Sequence, residues 1–255
     1  MNQPAHVDVV EAQFGERASA YLHSTVHAQG AEFAELQTAM DGCGEARVLD
    51  LGCGAGHVAF HLAPLVREVV AYDLSQKMLA VVAATAAERT LYNIRVEQGP
   101  AERLPFADGA FDFVASRYSA HHWADVGLAL REVRRVLKPG GGACFIDVVA
   151  PGLPLLDTHL QAVEVLRDTS HVRDYAPAEW LRLAGEAGLA VSSCRRQRLR
   201  LEFASWVERM RTPPVFRDAI RALQQGVGAE VRDYFEIGDD GSFSTDVMVL
   251  WLARD

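Results

Sequence analysis

The feature that most constrains the fold is a series of short apolar runs separated by segments of helix length. The first run, 48–51, leads directly into a cluster of glycines, and the second, 69–72, ends at Asp73. Three more runs follow, at 94–98, 111–115 and 143–149. Strands that alternate with helices in this way are typical of βαβ units and a parallel sheet. The sequence therefore predicts an α/β fold.

The segments between the runs support this prediction. Apolar residues recur at helical spacing over 75–89, where Ser75 is suited to the N-cap, and over 125–137, which ends at a Lys-Pro-Gly turn. After residue 150 the pattern changes, and Pro151, Gly152 and Pro154 break the chain. The predicted later elements are helices near 155–166 and 177–187, a strand near 189–194, interrupted helices over 203–235 and a final strand at 246–252.

Charge and composition narrow the function classes. Apolar residues make up 49% of the chain and charged residues 23%, which is ordinary globular usage. The net charge of −9 repels nucleic-acid backbones unless a local basic patch intervenes, so a nucleic-acid substrate is disfavoured. The densest basic stretch, 195–200, alternates arginines with other residues and is interpreted as a strand with a solvated face.

The cysteines and the N-terminus indicate a reducing compartment. Four cysteines are scattered without a CxxC pair or a Cys/His cluster at metal-ligand spacing, so we predict reduced thiols and no metal site. Residues 1–10 lack the apolar segment of a signal peptide, and no apolar run approaches the ~18 residues that a membrane helix requires. These observations predict a cytoplasmic protein that does not enter membranes.

The glycine cluster and Asp73 form the strongest local motif. Glycines at a strand–helix turn allow positive φ and a close approach of the backbone to a ligand. Asp73 follows Gly52 by about 20 residues, the spacing at which an acid can accept hydrogen bonds from a ribose diol. Two simpler interpretations stay open. The turn could be tight without binding anything, and Asp73 could merely favour a helix N-terminus through the macrodipole.

The spacing of the glycines discriminates between adenosine cofactors. A dinucleotide site favours GxGxxG, whereas this loop reads GxGxG and continues with His57. A nicotinamide-dependent oxidoreductase is therefore a weaker hypothesis than an enzyme that uses another adenosine cofactor.

Five stretches, in order, resemble the class I S-adenosylmethionine-dependent methyltransferases, and most closely the ubiquinone/menaquinone C-methyltransferase-like group. They read VLDLGCGAGH, VVAYDLSQKML, AERLPF, FDFVASR and REVRRVLKPGG, and together they lie within residues 45–150. The resemblance implies a Rossmann-like, seven-stranded, mostly parallel sheet whose last strand is reversed, with helices on both faces and a helical lid. It also implies S-adenosylmethionine as the cofactor and a small organic methyl acceptor. A non-catalytic protein that binds this cofactor remains the alternative.

The resemblance assigns roles around the glycine loop. Gly52, Cys53 and Gly54 match the loop that runs along the methionine and adenosine parts of the cofactor. Asp50 matches the acid beside that loop, which orients it and reaches the cofactor ammonium through water. Asp73 matches the acid that binds the ribose.

The adenine site departs from the family pattern at one position. Leu74 and Met78 match residues that line the adenine, and Ala101 matches one whose backbone N–H meets a ring nitrogen. The family usually has Asp where this chain has Pro100, which offers neither a carboxylate nor an N–H. Glu102 could replace that acid only if the backbone turns it toward the ring.

Residues beyond the fourth run are expected to face the reacting methyl group. Arg117 matches a position whose backbone faces the methionine end of the cofactor. Methyl transfer from a sulfonium needs alignment and desolvation, and a general base only when the acceptor carries a proton. His122, in the run Ser-Ala-His-His-Trp, is the candidate base, with a rate that rises near the ordinary histidine pKa of ~6.5. The alternative is that a histidine here caps a helix. His121 should point elsewhere.

We predict one domain, 1–255, built around a cofactor-binding core at 45–150. An N-terminal helical cap at 1–44 and insertions at 151–180 and 203–235 are expected to cover the carboxyl edge of the sheet. Further lid candidates are Tyr21, His27, His171, Arg173, Tyr175 and Trp180, of which the aromatic ones suit packing better than substrate contact. The acceptor is expected to be a small organic molecule, methylated at O, N or C.

Overall fold

The computed structural model describes residues 5–15 and 30–255. Seven strands form one sheet in the order β3-β2-β1-β4-β5-β7-β6. Their bounds are β1 (Arg47–Leu51), β2 (Glu68–Asp73), β3 (Ile94–Gln98), β4 (Phe111–Arg117), β5 (Leu137–Val149), β6 (Ala190–Leu201) and β7 (Phe243–Ala253).

The described helices flank this sheet. Their bounds are α1 (His6–Gly15), α2 (Ala31–Ala39), α3 (His57–Leu62), α4 (Gln76–Glu88), α5 (Val126–Val136), α6 (Pro154–Arg167), α7 (Pro177–Glu186), α8 (Phe203–Arg209), α9 (Pro214–Gly226) and α10 (Ala229–Phe235). Short 3₁₀-helices lie at Ala63–Leu65 and Ala120–His122.

The sheet is parallel from β3 to β5, and β7 runs antiparallel to both of its neighbours. The predicted Rossmann-like α/β fold with one reversed strand is therefore confirmed. After β1 the chain adds β2 and β3 on one side of β1, and it then crosses to the other side of β1 to form β4. Ligands of open α/β sheets bind at such a reversal, beyond the carboxyl ends of the strands.

Local sequence explains the helix that follows β2. Ser75 adopts an extended conformation and its hydroxyl accepts from the amide of Met78, so it caps α4 as predicted. The apolar side chains of α4 lie on one face and pack against the sheet.

β5 starts earlier than the sequence predicted. Leu137 already pairs with Phe111, and the register then shifts so that Phe113 pairs with Gly142. The glycine-rich turn is thus a bulge inside the strand, with Gly140 at φ 77°, a conformation that glycine adopts without strain.

Three apolar clusters make up the core. One face of the sheet packs against α5 and α7, and the opposite face packs against α2, α3 and α4. The third cluster joins α6, α8, α9 and α10 beyond the carboxyl edge, and it shares Val148 and Leu199 with the second cluster. The segments predicted as lid insertions are therefore packed onto the sheet by a continuous core.

The N-terminal region is partly described. Tyr21 and His27, two of the lid candidates, lie outside the described residues. Among the helices that the structure describes, none combines the length and the apolar character required to cross a membrane.

Candidate active site

The glycine loop leaves β1 and turns sharply beneath β2. The amides of Gly52 and Cys53 both donate to the carbonyl of Tyr72, at 2.8 and 3.0 Å. Gly52 and Gly54 have φ of 70° and 50°. A Cβ on Gly52 would lie 1.9 Å from Oγ of Ser119, whereas a Cβ on Gly54 would meet nothing within 4 Å. The first glycine is thus required by packing, and the second borders open space.

Asp73 ends β2 beside this loop. Its Oδ2 accepts from the amide of Gly54 at 2.8 Å, and its Oδ1 accepts from the amide of Ser75 at 2.8 Å. Burial raises the pKa of its carboxyl, although these backbone hydrogen bonds act in the opposite direction. The acid therefore joins the glycine loop to the start of α4, while its partly exposed side chain faces a cavity.

Asp50 lies deeper, one residue before the end of β1. Its Oδ2 accepts from the amide of Ala59 at 2.9 Å and so ties β1 to α3. Burial, reinforced by the charge of Asp73, raises the pKa of Asp50 to about 7. This carboxyl is positioned to orient the loop, and a nearby cation would favour its ionised form.

Residues 100–102 line the other side of the cavity. The carbonyl of Pro100 accepts from the Tyr72 hydroxyl at 3.2 Å. Oε1 of Glu102 accepts from the amide of Asp125 at 3.2 Å, next to the start of α5. The carboxylate of Glu102 is therefore engaged by a neighbouring loop. Leu74, Met78 and Ala101 complete an apolar wall here.

Arg117 ends β4 with its side chain turned toward α2. Nη2 and Nε bond Oε1 of Glu32 at 2.8 and 3.0 Å, and both side chains are almost fully buried. The guanidinium also lies over the rings of Phe33 and Tyr118, 4.6 and 4.5 Å from their centroids. Arg117 thus fixes α2 against the end of the sheet.

His122 lies on the 3₁₀-helix that follows β4. Its Nδ1 donates to the carbonyl of Ser170 at 3.1 Å, and Nε2 lies 4.0 Å from Oδ2 of Asp168. Phe14 of α1 packs edge-on against the ring, with 4.8 Å between the centroids, and Nε2 of His6 donates to the His122 carbonyl. Burial, followed by the charge of His121, lowers the pKa of His122 to about 4.

His121 is bound quite differently. Its Nδ1 lies 2.5 Å from Oδ1 of Asp147 on β5. Burial opposes protonation of this ring, but the charge and hydrogen bond of Asp147 outweigh it and raise the pKa of His121 to about 9. The two rings still stand 4.2 Å apart, so His121 does not point away as far as predicted. The reason is that Asp147 and Ser170 anchor them side by side.

Every residue predicted for the site lines one cavity of about 1140 Å³, including the part open to solvent. These residues are Asp50, Gly52, Cys53, Gly54, Asp73, Leu74, Met78, Ala101, Glu102, Arg117 and His122. Helix α1 covers this cavity with His6, Val7, Val10 and Phe14. In the described ranges no three His, Cys, Asp or Glu side chains are grouped so that they could hold a metal ion.

A second cavity, of about 610 Å³, adjoins the first at Phe14, Tyr118 and His122. Its walls carry both charged and apolar side chains. They include His121, Glu164, Arg167, Asp168, Asp174, Arg209, Val148, Leu199, Leu201 and Trp206.

Sequence reasoning missed several residues at this junction. Tyr118 adopts φ 53°, which is strained for a residue with a Cβ, and it borders both cavities. Asp168, Ser170 and Asp174 come from the segment after α6, and only a polar stretch at 171–175 hinted at a pocket wall.

The lid candidates fall into different places. Trp180 is buried against Phe145 in the core, and Tyr175 packs beside it, as the packing interpretation predicted. Arg173 binds Asp157 and Glu179. His171 is buried, bonds Gln161 and lies 4.0 Å from Oδ2 of Asp174.

Comparison with known proteins gives a consistent result. A family model described as a methyltransferase domain matches residues 49–145. The chain is similar to the uncharacterized protein YafE of Escherichia coli (strain K12), with 56% identity over 78% of this chain and 96% of that protein. It is also similar to the uncharacterized methyltransferase YcgJ of Bacillus subtilis (strain 168), with 36% identity over 88% of this chain and 89% of that protein.

Structural similarity extends over most of the molecule. The crystal structure of YcgJ matches with a TM-score of 0.84 and 34% identity, covering 87% of this chain and 97% of that one. A shorter match joins the chain to the demethylmenaquinone methyltransferase of Chlorobaculum parvum, with 35% identity over 46% of this chain and 47% of that enzyme.

Proposed function

The chain belongs to the methyltransferase family of these relatives, and from that premise we propose that it transfers the methyl group of S-adenosylmethionine to a small organic acceptor. The observation that carries the proposal is that all eleven residues named for the site border a single cavity beyond β1, β2 and β4. Such a cavity lies where open α/β sheets bind their ligands.

The residues present fit S-adenosylmethionine. Open space beside Gly54 leaves room for a ligand against the loop, and the carboxylate of Asp73 lies at its edge, ready to accept from ribose hydroxyls. Leu74, Met78 and Ala101 supply an apolar wall suited to adenine. We propose that Asp50 orients the loop and, by its negative charge, favours the cationic methionine end, and that the backbone at Arg117 borders that end. When bound, S-adenosylmethionine supplies an electrophilic methyl group on a sulfonium.

Adenine recognition does not require the acid that the family usually has at Pro100. Because Glu102 already accepts from the amide of Asp125, we propose that the adenine is held by the backbone of Ala101 and by apolar packing. Glu102 would then shape the pocket by holding the start of α5 in place.

We propose that His122 is the general base. A carbonyl can only accept, so the contact with Ser170 assigns the proton to Nδ1 and leaves the lone pair on Nε2. With a pKa of about 4, this imidazole is neutral at pH 7 and can take a proton from an acceptor O–H or N–H as that atom bonds the methyl carbon. The sequence alone predicted a rate that rises near pH 6.5. With the lowered pKa of His122, we expect no such rise near 6.5.

His121 complements this arrangement. Its pKa of about 9 makes it a cation at neutral pH, and that charge helps to keep His122 unprotonated. The two neighbouring imidazoles are thus in opposite protonation states. One ring can act as a base while the other supplies a fixed positive charge.

The flanking segments suit a lid. We propose that α1, together with the insertions at 151–180 and 203–235, excludes water from the reacting groups, because α1 covers the first cavity and α6 and α8 supply walls of the second. A small acceptor agrees with the size of the second cavity, and the similarity to a demethylmenaquinone methyltransferase supports an organic acceptor.

Calorimetric titration of the protein with S-adenosylmethionine and, separately, with NADH tests the cofactor. We expect saturable one-to-one binding of S-adenosylmethionine and none of NADH. Methyl-labelled S-adenosylmethionine with a panel of organic acceptors then tests transfer. Binding of NADH alone would contradict the proposal in favour of an oxidoreductase, and cofactor binding without transfer to any acceptor would favour a non-catalytic binding protein.

A further inference from the structure

The second cavity contains buried carboxylate oxygens that no protein group satisfies. Oδ2 of Asp168 and Oδ2 of Asp174 are both shielded from water and have no hydrogen-bond partner in the structure. The two side chains are only 2% and 1% exposed. A buried acceptor atom without a donor costs about 1–3 kcal/mol, more for charged groups, so such atoms call for an explanation.

Asp168 is held rigidly with one oxygen left over. The amide and the hydroxyl of Ser170 donate to its Oδ1, at 2.9 and 2.6 Å. Its Oδ2 lies 4.0 Å from Nε2 of His122, which is too far for a hydrogen bond and close enough for both atoms to contact one small molecule. This oxygen is therefore placed beside the proposed base.

Asp174 also has a buried carboxylate oxygen without a partner, Oδ2. Its amide donates to Oε1 of Gln161 at 3.1 Å, which fixes the backbone, while its Oδ2 lies 4.0 Å from Nε2 of His171. His171 already bonds Gln161 at 3.0 Å, and burial lowers its pKa to about 2, so it is neutral and does not neutralise the acid. Burial, together with the charge of Glu164, raises the pKa of Asp174 well above its usual range.

Three other charged residues of this cavity, Glu164, Arg167 and His121, have partners within the protein. Glu164 lies 3.5 Å from Nη1 of Arg167, and the Arg167 guanidinium stacks over Trp206 and donates to its carbonyl. His121 is paired with Asp147. Among the acids that line the cavity, Asp168 and Asp174 are the ones with a fully buried oxygen that has no hydrogen-bond partner.

We propose that this second cavity binds the methyl acceptor, and that the acceptor carries two hydrogen-bond donors, O–H or N–H groups, which Oδ2 of Asp168 and Oδ2 of Asp174 accept. The proposal rests on the proposed function, since it assigns the acceptor class for the same reaction. Donors from a ligand would also stabilise the ionised form of Asp174 and so offset the cost of its burial.

The walls define the rest of the acceptor. Leu199, Leu201 and Trp206 offer an apolar surface for a carbon skeleton. A molecule without donors would leave both oxygens unsatisfied. A compact diol, diphenol, amino alcohol or diamine satisfies the cavity. A hydroxyl next to Asp168 donates its one proton to Oδ2 in the bound state and gives that proton to Nε2 of His122, 4.0 Å from Oδ2, when its oxygen is methylated.

Matched fragments test the donor requirement. Three sets share the same small aromatic and alicyclic skeletons and carry two hydroxyls, two amines or two methyl ethers. Binding to the protein, with and without S-adenosylmethionine, is measured by ligand-observed NMR. We expect the hydroxyl or the amine set to bind and the ether set to bind at least tenfold more weakly, and the stronger set identifies which donor the site takes.

The variants Asp168→Asn and Asp174→Asn replace one acceptor oxygen by an amide NH₂ with little change of shape. Each should weaken donor fragments about tenfold or more and leave the dissociation constant of S-adenosylmethionine unchanged. Asp218→Asn, at an exposed position of α9, is the matched control. Melting temperatures of all three confirm folding.

The outcomes separate the two levels of the proposal. If S-adenosylmethionine binds but no donor fragment does, or if ethers bind as well as donors, or if the Asn variants bind donors like the wild type, the acceptor assignment is overturned and the methyltransferase proposal stands. If S-adenosylmethionine itself does not bind, the proposed function fails, whatever the fragments do.

Discussion

His121 and His122 are adjacent in the chain, yet their surroundings move their pKa values in opposite directions. Asp147 raises the pKa of His121 to about 9, and burial next to that cation lowers the pKa of His122 to about 4. Because the rings stand 4.2 Å apart, the protonation of one is coupled to the other. The backbone carbonyl of Ser170 and the carboxylate of Asp147 keep this arrangement fixed.

Removing the imidazole of His122 should lower kcat by about a hundredfold while cofactor affinity barely changes, because the ring is proposed to face the acceptor. Turnover, cofactor affinity and melting temperature are measured on the same preparation of His122→Ala. His61→Ala is the control, since His61 borders neither cavity and stacks on Phe33. A normal rate per folded molecule in His122→Ala would reduce His122 to a packing residue.

The pH dependence follows from the sign of the shift. A base acts when it is neutral, and lowering its pKa extends the neutral form to lower pH, so kcat at saturating cofactor should be nearly flat from pH 5.5 to 8. An unperturbed histidine would instead give about a tenfold rise between pH 5.5 and 7.5. In His121→Gln the neighbouring cation is gone, and the rising limb should move up toward 6.5. A wild-type limb near 6.5 would contradict this assignment.

At the residue scale, sequence reasoning succeeded where local geometry fixes a position. Asp73 and the glycines follow strand ends, so their place beyond the sheet is set by the βα turn. Asp168 and Asp174 reach the same region only through the path of the chain after α6, and no local period in the sequence encodes that path. Tyr118 was missed because its φ of 53° depends on the hydrogen bond that its amide donates to Ile146 on the neighbouring strand.

At the scale of elements, the unit β1–loop–α3 forms the part of the first cavity that we propose for the cofactor. Gly52 and Gly54 of this loop require glycine for different reasons. Gly52 is pressed against Ser119, from the segment after β4, whereas Gly54 faces the cavity. The loop is thus clamped on one side by packing and open to a ligand on the other.

Alanine at the two positions should separate stability from binding. Gly52→Ala should lower the melting temperature markedly, because the new Cβ would overlap Ser119 at positive φ. Gly54→Ala should cost about 1 kcal/mol of stability for its positive φ, and its methyl group should weaken S-adenosylmethionine binding about tenfold. Gly44→Ala, where a Cβ meets nothing within 4 Å, is the control. Equal melting temperatures for Gly52→Ala and Gly54→Ala would show that the packing of Gly52 against Ser119 does not stabilise the loop.

The order of elements was predictable because apolar runs and helical periods alternate regularly. The early start of β5 could not be predicted. Leu137 still fits the helical period of the segment before it, yet it pairs with Phe111 in the sheet and is followed by a bulge. The long strand β6 also exceeded its predicted length. Its arginines alternate along an edge strand, and Arg198 is held by Asp246 of β7 at 3.1 Å.

At the scale of the whole molecule, the cluster beyond the carboxyl edge is continuous with the sheet through Val148 and Leu199. The walls of the second cavity therefore depend on the same core as those of the first cavity. Such sharing predicts that the lid helices and the sheet unfold together.

Leu160→Ala tests that continuity, because Leu160 is fully buried on α6. We expect the free energy of unfolding to fall by about 2–5 kcal/mol with a single transition retained in urea. Leu155→Ala, on the same helix but 59% exposed, should change it by less than about 0.5 kcal/mol. Separate transitions for the lid helices and the sheet would show that the two regions are independent.

The most direct test of the central claim is the affinity of Asp73→Ala for S-adenosylmethionine, measured by calorimetry beside Asp41→Ala, which removes an exposed acid from the turn after α2. Asp73 is proposed to accept from the ribose, so its loss should weaken binding by about 1.5–3 kcal/mol, roughly ten- to 150-fold, while Asp41→Ala binds like the wild type. A folded Asp73→Ala protein with unchanged affinity for S-adenosylmethionine would contradict the assignment of the first cavity, which Asp73 lines, to the cofactor.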